Sequence, residues 1–189
     1  MTYSIDDFVQ DVKRIVPPDG SDPGPAGREA ISLHLRRLAV NPDILARTGG
    51  STGRQGTHGM DIRGGEIHKE PDGTLALMLA RFPHEMETPV HNHHSWGVVC
   101  VVTGQDRYVE WKRVDAGLQS GYAVVEKVSE RILGAGEVVH FADTPGDIHS
   151  QQGIGAPVWE LVFFGRDPNV KPRLYFDPAA HSVHSARAV

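Results

Sequence analysis

The feature that most constrains the fold is a series of short β-forming runs that fills the chain from Glu66 onward. Each run is rich in β-branched and aromatic residues, and turn signals such as Gly104 and Pro145-Gly146 separate them. The runs are TLALMLARF, WGVVCVVTG, DRYVEWKRV, AVVEKVSERIL, EVVHFA and PVWELVFFG. Their alternation of residue types predicts an antiparallel sandwich or barrel whose inner face can hold a site.

Two amphipathic helices are predicted before these strands. Residues Ser4 to Val16 carry apolar side chains at helical spacing behind a Ser4 cap. Residues Ala26 to Val40 repeat that spacing until Asn41-Pro42 interrupts it. The glycine-rich stretch over residues 48–65 is predicted to be a loop without regular structure, of the kind that can cover a pocket.

The length of 189 residues fits a single domain. We expect N-terminal helices over residues 1–50, packed on a β-barrel over residues 51–178. The last segment, residues 179–189, lacks an apolar pattern and is predicted to be a loosely ordered tail. The expected fold class is therefore mainly β, with helices in front of the barrel.

Composition and charge exclude several classes of partner. The net charge is −5 and no basic cluster is present, which argues against nucleic acid. The first residues are acidic where a signal peptide is basic, and no stretch approaches the length of a membrane span, so we expect a cytoplasmic protein without a membrane partner. Because Cys100 is the only cysteine, any metal must use histidine and oxygen ligands.

Three histidines form the candidate metal site. His91 and His93 stand two apart just before a strongly β-forming run, and residues at that spacing share one face of an extended chain. His94 then points away from them. The third ligand is expected from a distant strand, where His149 follows the tight turn Gly146-Asp147. Three neutral imidazoles leave part of the coordination sphere open for substrate or water.

These residues make the β half of the chain resemble the cupin superfamily. His91, His93 and Gly104 match its first motif, G-x5-H-x-H-x3-4-E-x6-G, while Gly146 and His149 match its second. The resemblance implies a double-stranded β-helix, also called a jelly-roll barrel. The acidic position of the first motif holds Gly97, so the usual carboxylate ligand is missing.

Loss of that carboxylate is the pattern of the thiol dioxygenase branch. The segments HNHHSWGVVCVVTG and GDIHSQQG are similar to those of cysteine dioxygenase and 3-mercaptopropionate dioxygenase. The resemblance implies an iron(II) enzyme that takes dioxygen and a small thiol, such as a thiol carboxylate, and forms a sulfinic acid.

The chain also departs from that branch. The branch carries a Ser-His-Tyr relay on its last barrel strand, and Glu160, Val162 and Phe164 occupy those places here. Its carboxylate-binding arginine has only an approximate counterpart, Arg63, one residue out of register. We predict that Trp96, Arg63 and Phe164 contact the substrate. Glu160 is a candidate fourth ligand or catalytic base if it faces inward, and an ordinary solvated glutamate if it faces outward.

Two other functions stay open at this stage. One is a cupin lyase, isomerase or hydrolase that uses zinc, manganese or nickel as a Lewis acid, which the missing relay favours. The other is a non-catalytic cupin that binds a metal or ligand, because a fold alone does not define an activity. Barrels of this type often pair through edge strands or helices, so a homodimer is a further expectation.

Overall fold

The structure is a computed structural model that describes residues 2–48, 53–55 and 61–187. Its first helix, α1, spans Ile5–Val12 and begins with a capping box. The Ser4 hydroxyl accepts a hydrogen bond from the Asp7 amide, and the Asp7 carboxylate accepts one from the Ser4 amide. Helix α2 spans Gly24–Ala39 and α3 spans Pro42–Thr48. Both predicted helices are therefore present, although the first ends four residues earlier than its apolar pattern does.

Within the described residues the chain forms twelve strands, β1 to β12. In chain order they are Gly53–Gln55, Asp61–Lys69, Ala76–Phe82, Val90–His91, Gly97–Thr103, Gln105–Arg113, Val125–Gly134, Val138–Phe141, His149–Gly153, Val158–Phe164, Arg173–Asp177 and Ser182–Ala186. Every paired strand is antiparallel to its neighbour. No helix in this part of the chain is both long enough and apolar enough to span a bilayer.

The strands make two six-stranded sheets. Sheet A has the order β1-β2-β3-β10-β5-β8, and sheet B has the order β12-β11-β4-β9-β6-β7. The eight strands from β3 to β10 are divided between the sheets so that β3-β10-β5-β8 faces β4-β9-β6-β7, and β6 and β7 form a hairpin within sheet B. This is the strand order of an eight-stranded jelly roll. The predicted fold, a double-stranded β-helix with N-terminal helices, is confirmed.

Sheet A has an apolar layer on each face, and successive residues of its strands alternate between the two layers. On β5, Val98 and Cys100 pack against the helices, whereas Val99 and Val101 belong to the layer between the two sheets. Because both faces of β5 are covered, its sequence GVVCVVT has no polar residue before the last one, Thr103. The layer between the sheets encloses the candidate site.

Two predictions about irregular segments are wrong in part. Within residues 48–65, Gly53–Gln55 pairs with the beginning of β2, so the described part of this stretch is a hairpin; residues 49–52 and 56–60 lie outside the described chain. The tail that was predicted to be loosely ordered contains β12, which pairs with β11 along its length. Main-chain hydrogen bonds hold β12, and they leave no signal in the apolar pattern of its side chains.

Candidate metal centre

The structure brings the three predicted histidines together. His91 ends β4 and His93 follows two residues later, while His149 begins β9 directly opposite His91. Their ligand atoms all lie within 4.8 Å of one another. The three side chains are buried, with exposed fractions of 6%, 7% and 2%. The spacing of two therefore does bring both imidazoles to the same site, although only His91 belongs to β4.

The ring nitrogens of the three imidazoles lie close together, and a hydrogen bond orients one of the rings. The Nδ1 atom of His91 donates to the Pro89 carbonyl over 2.8 Å, which leaves its Nε2 lone pair free. The Nε2 atoms of His93 and His149 lie 3.3 Å apart. The Nδ1 atoms of these two residues are buried and have no hydrogen-bond partner among the described residues. His91 can thus present its Nε2 lone pair and keep its hydrogen bond, whereas His93 and His149 would exchange the contact between their Nε2 atoms for a shared ion.

The carboxylate of Asp147 holds the segment that carries two of the histidines. Its Oδ2 atom accepts hydrogen bonds from the amides of His93 and His94, at 3.0 and 2.7 Å, and from the Thr144 hydroxyl at 2.9 Å. His94 adopts a left-handed backbone conformation with φ of 55°, and its ring lies against the Pro172 carbonyl. His94 therefore turns away from the other histidines, as predicted.

Burial keeps the three imidazoles uncharged. Desolvation lowers the pKa of His91 to about 3, and the positive charge of Arg173 acts in the same direction. The pKa values of His93 and His149 are also lowered well below the usual range, with desolvation as the main cause. A neutral imidazole is the form that binds a metal. At physiological pH the site is therefore in its ligating state.

This donor set fits a divalent transition metal. Imidazole nitrogens suit zinc, copper, iron and nickel, whereas magnesium and calcium prefer oxygen ligands. Within the described residues, no carboxylate or thiolate joins the three histidines. Three protein ligands leave coordination positions for other molecules, as catalytic metal sites require. The residues define a three-histidine metal site, while the identity of the metal belongs to the proposal below.

Aromatic rings form the walls around the histidines. Phe164 lies 4.8 Å from the His93 ring, and Phe141 and Tyr108 each lie 5.2 Å from the His149 ring, measured between ring centroids. Tyr175 stacks on His91 at 6.0 Å. Such walls exclude water and lower the local dielectric, which strengthens charge interactions inside the site. Phe164 therefore lies beside a metal ligand, and its contact with substrate stays a prediction.

Arg173 is a site residue that the sequence analysis missed. It stands two residues before Tyr175 on β11, whose ring stacks on His91, so both side chains share a strand face, and its positive charge lowers the pKa of all three histidines. The guanidinium hydrogen-bonds with the Tyr175 side chain, and burial lowers the arginine pKa. Its Nε atom is enclosed and has no hydrogen-bond partner in the described part of the chain. The only sequence signal was Arg-x-Tyr spacing in RLYFD, which puts both residues on one strand face.

Glu160 faces inward but does not join the group of three histidines. It is fully buried, and its Oε2 atom accepts a hydrogen bond from the Gln151 amide over 2.5 Å. Desolvation and the nearby Asp106 raise the Glu160 pKa well above its usual range, and desolvation raises that of Asp106 to about 6. The two side chains are hydrogen-bonded, so the neutral Glu160 acid donates to the Asp106 carboxylate.

Trp96 lies on the other side of sheet A. It is fully buried in the helix-facing layer, donates from Nε1 to the Gly20 carbonyl over 3.0 Å, and packs edge-on against Phe163. Trp96, Val98 and Cys100 are spaced two apart, and all three side chains belong to the layer that faces the helices. That layer lies on the opposite side of sheet A from the histidines, so the predicted contact between Trp96 and the substrate is wrong. Arg63 belongs to β2, whose residues 61–64 are described by backbone alone. Its predicted contact with substrate lies outside the described side chains.

Comparisons with known proteins found solved structures of low sequence identity. No protein-family model and no curated protein matches the sequence. Similar solved structures include the DMSP lyase DddQ from Ruegeria pomeroyi, at 17% identity and a TM-score of 0.47, covering 70% of this chain and 59% of that one. An oxalate oxidase in complex with glycolate has 16% identity and a TM-score of 0.46, with coverage of 64% and 58%. The cupin domain of Cnp3 from Schizosaccharomyces pombe has 15% identity and a TM-score of 0.45, with coverage of 63% and 66%.

The chain thus covers less than two thirds of the length of each of these structures. The strand order described above, rather than these similarities, defines the fold. Together, the jelly-roll topology and the histidine cluster make this a cupin-fold protein with a three-histidine metal site.

The burial of His91 predicts how the metal-free protein responds to acid. Its pKa falls from 6.5 to about 3 on folding, so between these values the unfolded chain binds a proton that the folded protein does not. The free energy of unfolding should therefore decrease as pH falls below 6.5. Relative to wild type, His91→Asn should reduce that slope by about 1.4 kcal/mol per pH unit. Urea denaturation in the presence of EDTA at pH 4 to 7 measures both slopes; equal slopes would contradict the prediction.

Proposed function

We propose that this protein is a mononuclear iron(II) dioxygenase that oxidises a small thiol carboxylate to a sulfinic acid. The observation that carries the proposal is the charge around the site. The three imidazoles that would hold a divalent cation are uncharged, and the half-buried Arg173 guanidinium adds a positive charge near them. A doubly charged ion beside a guanidinium requires negative partners, because unpaired buried charges are strongly unfavourable. A thiolate that also carries a carboxylate supplies two negative charges at once.

Each part of the site has a role in this proposal. Arg173 binds the substrate carboxylate, and Tyr175 holds the guanidinium in place. Phe141 and Phe164 exclude water from the reacting sulfur. A bound iron(II) ion supplies the redox chemistry by which dioxygen oxidises a thiolate. In the overall reaction both oxygen atoms enter the product, RS⁻ + O₂ → RSO₂⁻, and the sulfur loses four electrons.

Oxygen consumption by the iron-loaded protein tests this function. We expect turnover with 3-mercaptopropionate or cysteine, with one sulfinate formed for each dioxygen consumed. Cysteamine should react poorly, because it has a thiol and no carboxylate for Arg173. The metal-free protein is the control for oxidation in solution. If the iron-loaded protein consumes no more oxygen than this control with any of the three thiols, the dioxygenase function is rejected.

A second candidate is a lyase, isomerase or hydrolase in which zinc, manganese or nickel acts as a Lewis acid. Phe164 favours it, because a phenylalanine beside the site cannot donate the hydrogen bond that oxygen chemistry uses in the resembling branch. Glu160 adds a buried acid with a raised pKa, of the kind that general acid catalysis employs. Elemental analysis of the protein as isolated separates the candidates: iron supports the dioxygenase, and stoichiometric zinc, manganese or nickel supports the second candidate.

A further inference from the structure

Tyr108 carries a buried hydroxyl group that makes no hydrogen bond with the described part of the protein. The residue lies on β6, its side chain has an exposed fraction of 0%, and its ring stacks on His149 with an interplanar angle of 28°. Within residues 2–48, 53–55 and 61–187 the hydroxyl has no hydrogen-bond partner. A buried hydroxyl without a partner destabilises the folded state, and phenylalanine would fill the same space without that penalty. Packing therefore explains the ring of Tyr108 but not its oxygen.

The polar side chains next to Tyr108 on β9 are already hydrogen-bonded. Gln151, its partner across the β6–β9 ladder, donates its side-chain amide to Glu160 and Asp106. The hydroxyl of the adjacent Ser150 donates to Glu87 and accepts from a tryptophan indole. Among the residues that the structure describes, four aromatic rings other than histidine contact the three histidines: Tyr108, Phe141, Phe164 and Tyr175. The two phenylalanines have no donor, and Tyr175 hydrogen-bonds with Arg173.

We propose that the Tyr108 hydroxyl donates a hydrogen bond to a small electronegative ligand on the open side of the three-histidine site. The inference rests on the metal site and deepens the proposed function, because such a ligand is either dioxygen or an atom of the substrate. In a water-excluded pocket, a neutral donor next to an anionic ligand forms a strong hydrogen bond. The ligand then accepts the hydrogen bond that the Tyr108 hydroxyl does not make within the described protein.

The test compares azide binding to the cobalt- or iron-loaded wild type and Tyr108→Phe, because azide is a small anion that reports on open metal positions. We expect azide affinity to fall by about 10-fold, as for loss of one hydrogen bond to a charged group, while metal content stays equal. The matched control is Tyr122→Phe, whose ring packs on His181 in another part of the fold and whose azide affinity should not change. Equal azide affinity in wild type and Tyr108→Phe overturns the inference.

Thermal unfolding of the metal-free proteins distinguishes this role from a structural one. Because Tyr108→Phe removes a hydroxyl without a partner, its midpoint should rise by about 2–4 °C. A fall of several degrees would show that the hydroxyl has an internal partner, and it would overturn the inference. If Tyr108→Phe does not fold, infrared spectroscopy of azide on the wild-type protein decides. The azide stretch should shift between H₂O and D₂O if a hydroxyl donates to it, and an unchanged frequency overturns the inference.

Failure of the inference and failure of the proposed function give different results. If azide binding depends on Tyr108 but no thiol is oxidised, the hydrogen bond stands and the dioxygenase function is rejected. If thiols are oxidised while Tyr108→Phe changes neither azide affinity nor KM and kcat for the thiol, the function stands and the role of Tyr108 is rejected.

Discussion

Replacement of His149 by alanine is expected to weaken binding of a divalent metal by at least about 100-fold, since even the loss of an outer partner of a metal ligand costs 10- to 100-fold. His149 supplies the ligand that comes from β9, and its Nε2 atom lies 3.3 Å from that of His93. Without it, two imidazoles remain and the ion loses the residue that links the two ligand-bearing segments. Titration of the metal-free variant against a competing chelator measures the affinity.

The neighbouring His94 provides the matched control. It stands beside His93 in sequence, but its ring contacts the Pro172 carbonyl and not the three-histidine group. His94→Ala should therefore bind metal as wild type does. Circular dichroism of both variants reports whether the barrel is intact. Tight metal binding by a folded His149→Ala protein would show that the metal lies elsewhere.

Replacement of Arg173 by glutamine is expected to raise the KM for 3-mercaptopropionate by about 100-fold, because loss of one partner of an enclosed charge pair costs ~2–5 kcal/mol. The effect should be absent with cysteamine, which has no carboxylate. Steady-state oxygen consumption with both thiols measures the difference. Arg107→Gln is the control, because Arg107 pairs with Glu130 and Glu87 and does not act on the histidines.

The same variant has a second readout that does not depend on turnover. In the absence of substrate, the Arg173 guanidinium repels a divalent cation at the histidines. Arg173→Gln should therefore bind the metal more tightly than wild type while it binds thiol carboxylate less well. An equal loss of activity with thiols that have and lack a carboxylate, at unchanged metal affinity, would contradict the proposed role of Arg173.

The jelly roll could be predicted because its central strands carry strong local signals. The run GVVCVVT is apolar on both faces, as a strand covered by helices on one side and by a second sheet on the other must be. His91 and His93 could be paired because side chains two apart share a strand face. His149 was found from its own turn and strand. These inferences need only local geometry and one contact between strands.

Strand β10 shows why the rest was harder to predict. All seven residues of VWELVFF are buried, so no alternation between polar and apolar residues marks the inner face. The inward direction of Glu160 therefore followed only from the structure. Trp96 was misplaced for the same reason, since both faces of sheet A are apolar. Arg173 was missed because its place beside the histidines depends on the pairing of β11 with β4, far apart in sequence.

The hydrogen bond between Asp147 and the backbone of His93 helps to align the metal ligands before an ion binds. Asp147 stands two residues before His149, so one carboxylate ties together the two segments that supply all three imidazoles. The loss of chain entropy needed to align them occurs when the barrel folds. The three imidazoles are therefore already aligned when an ion binds. The free energy of coordination then contributes to metal affinity, and none of it is needed to order a loop.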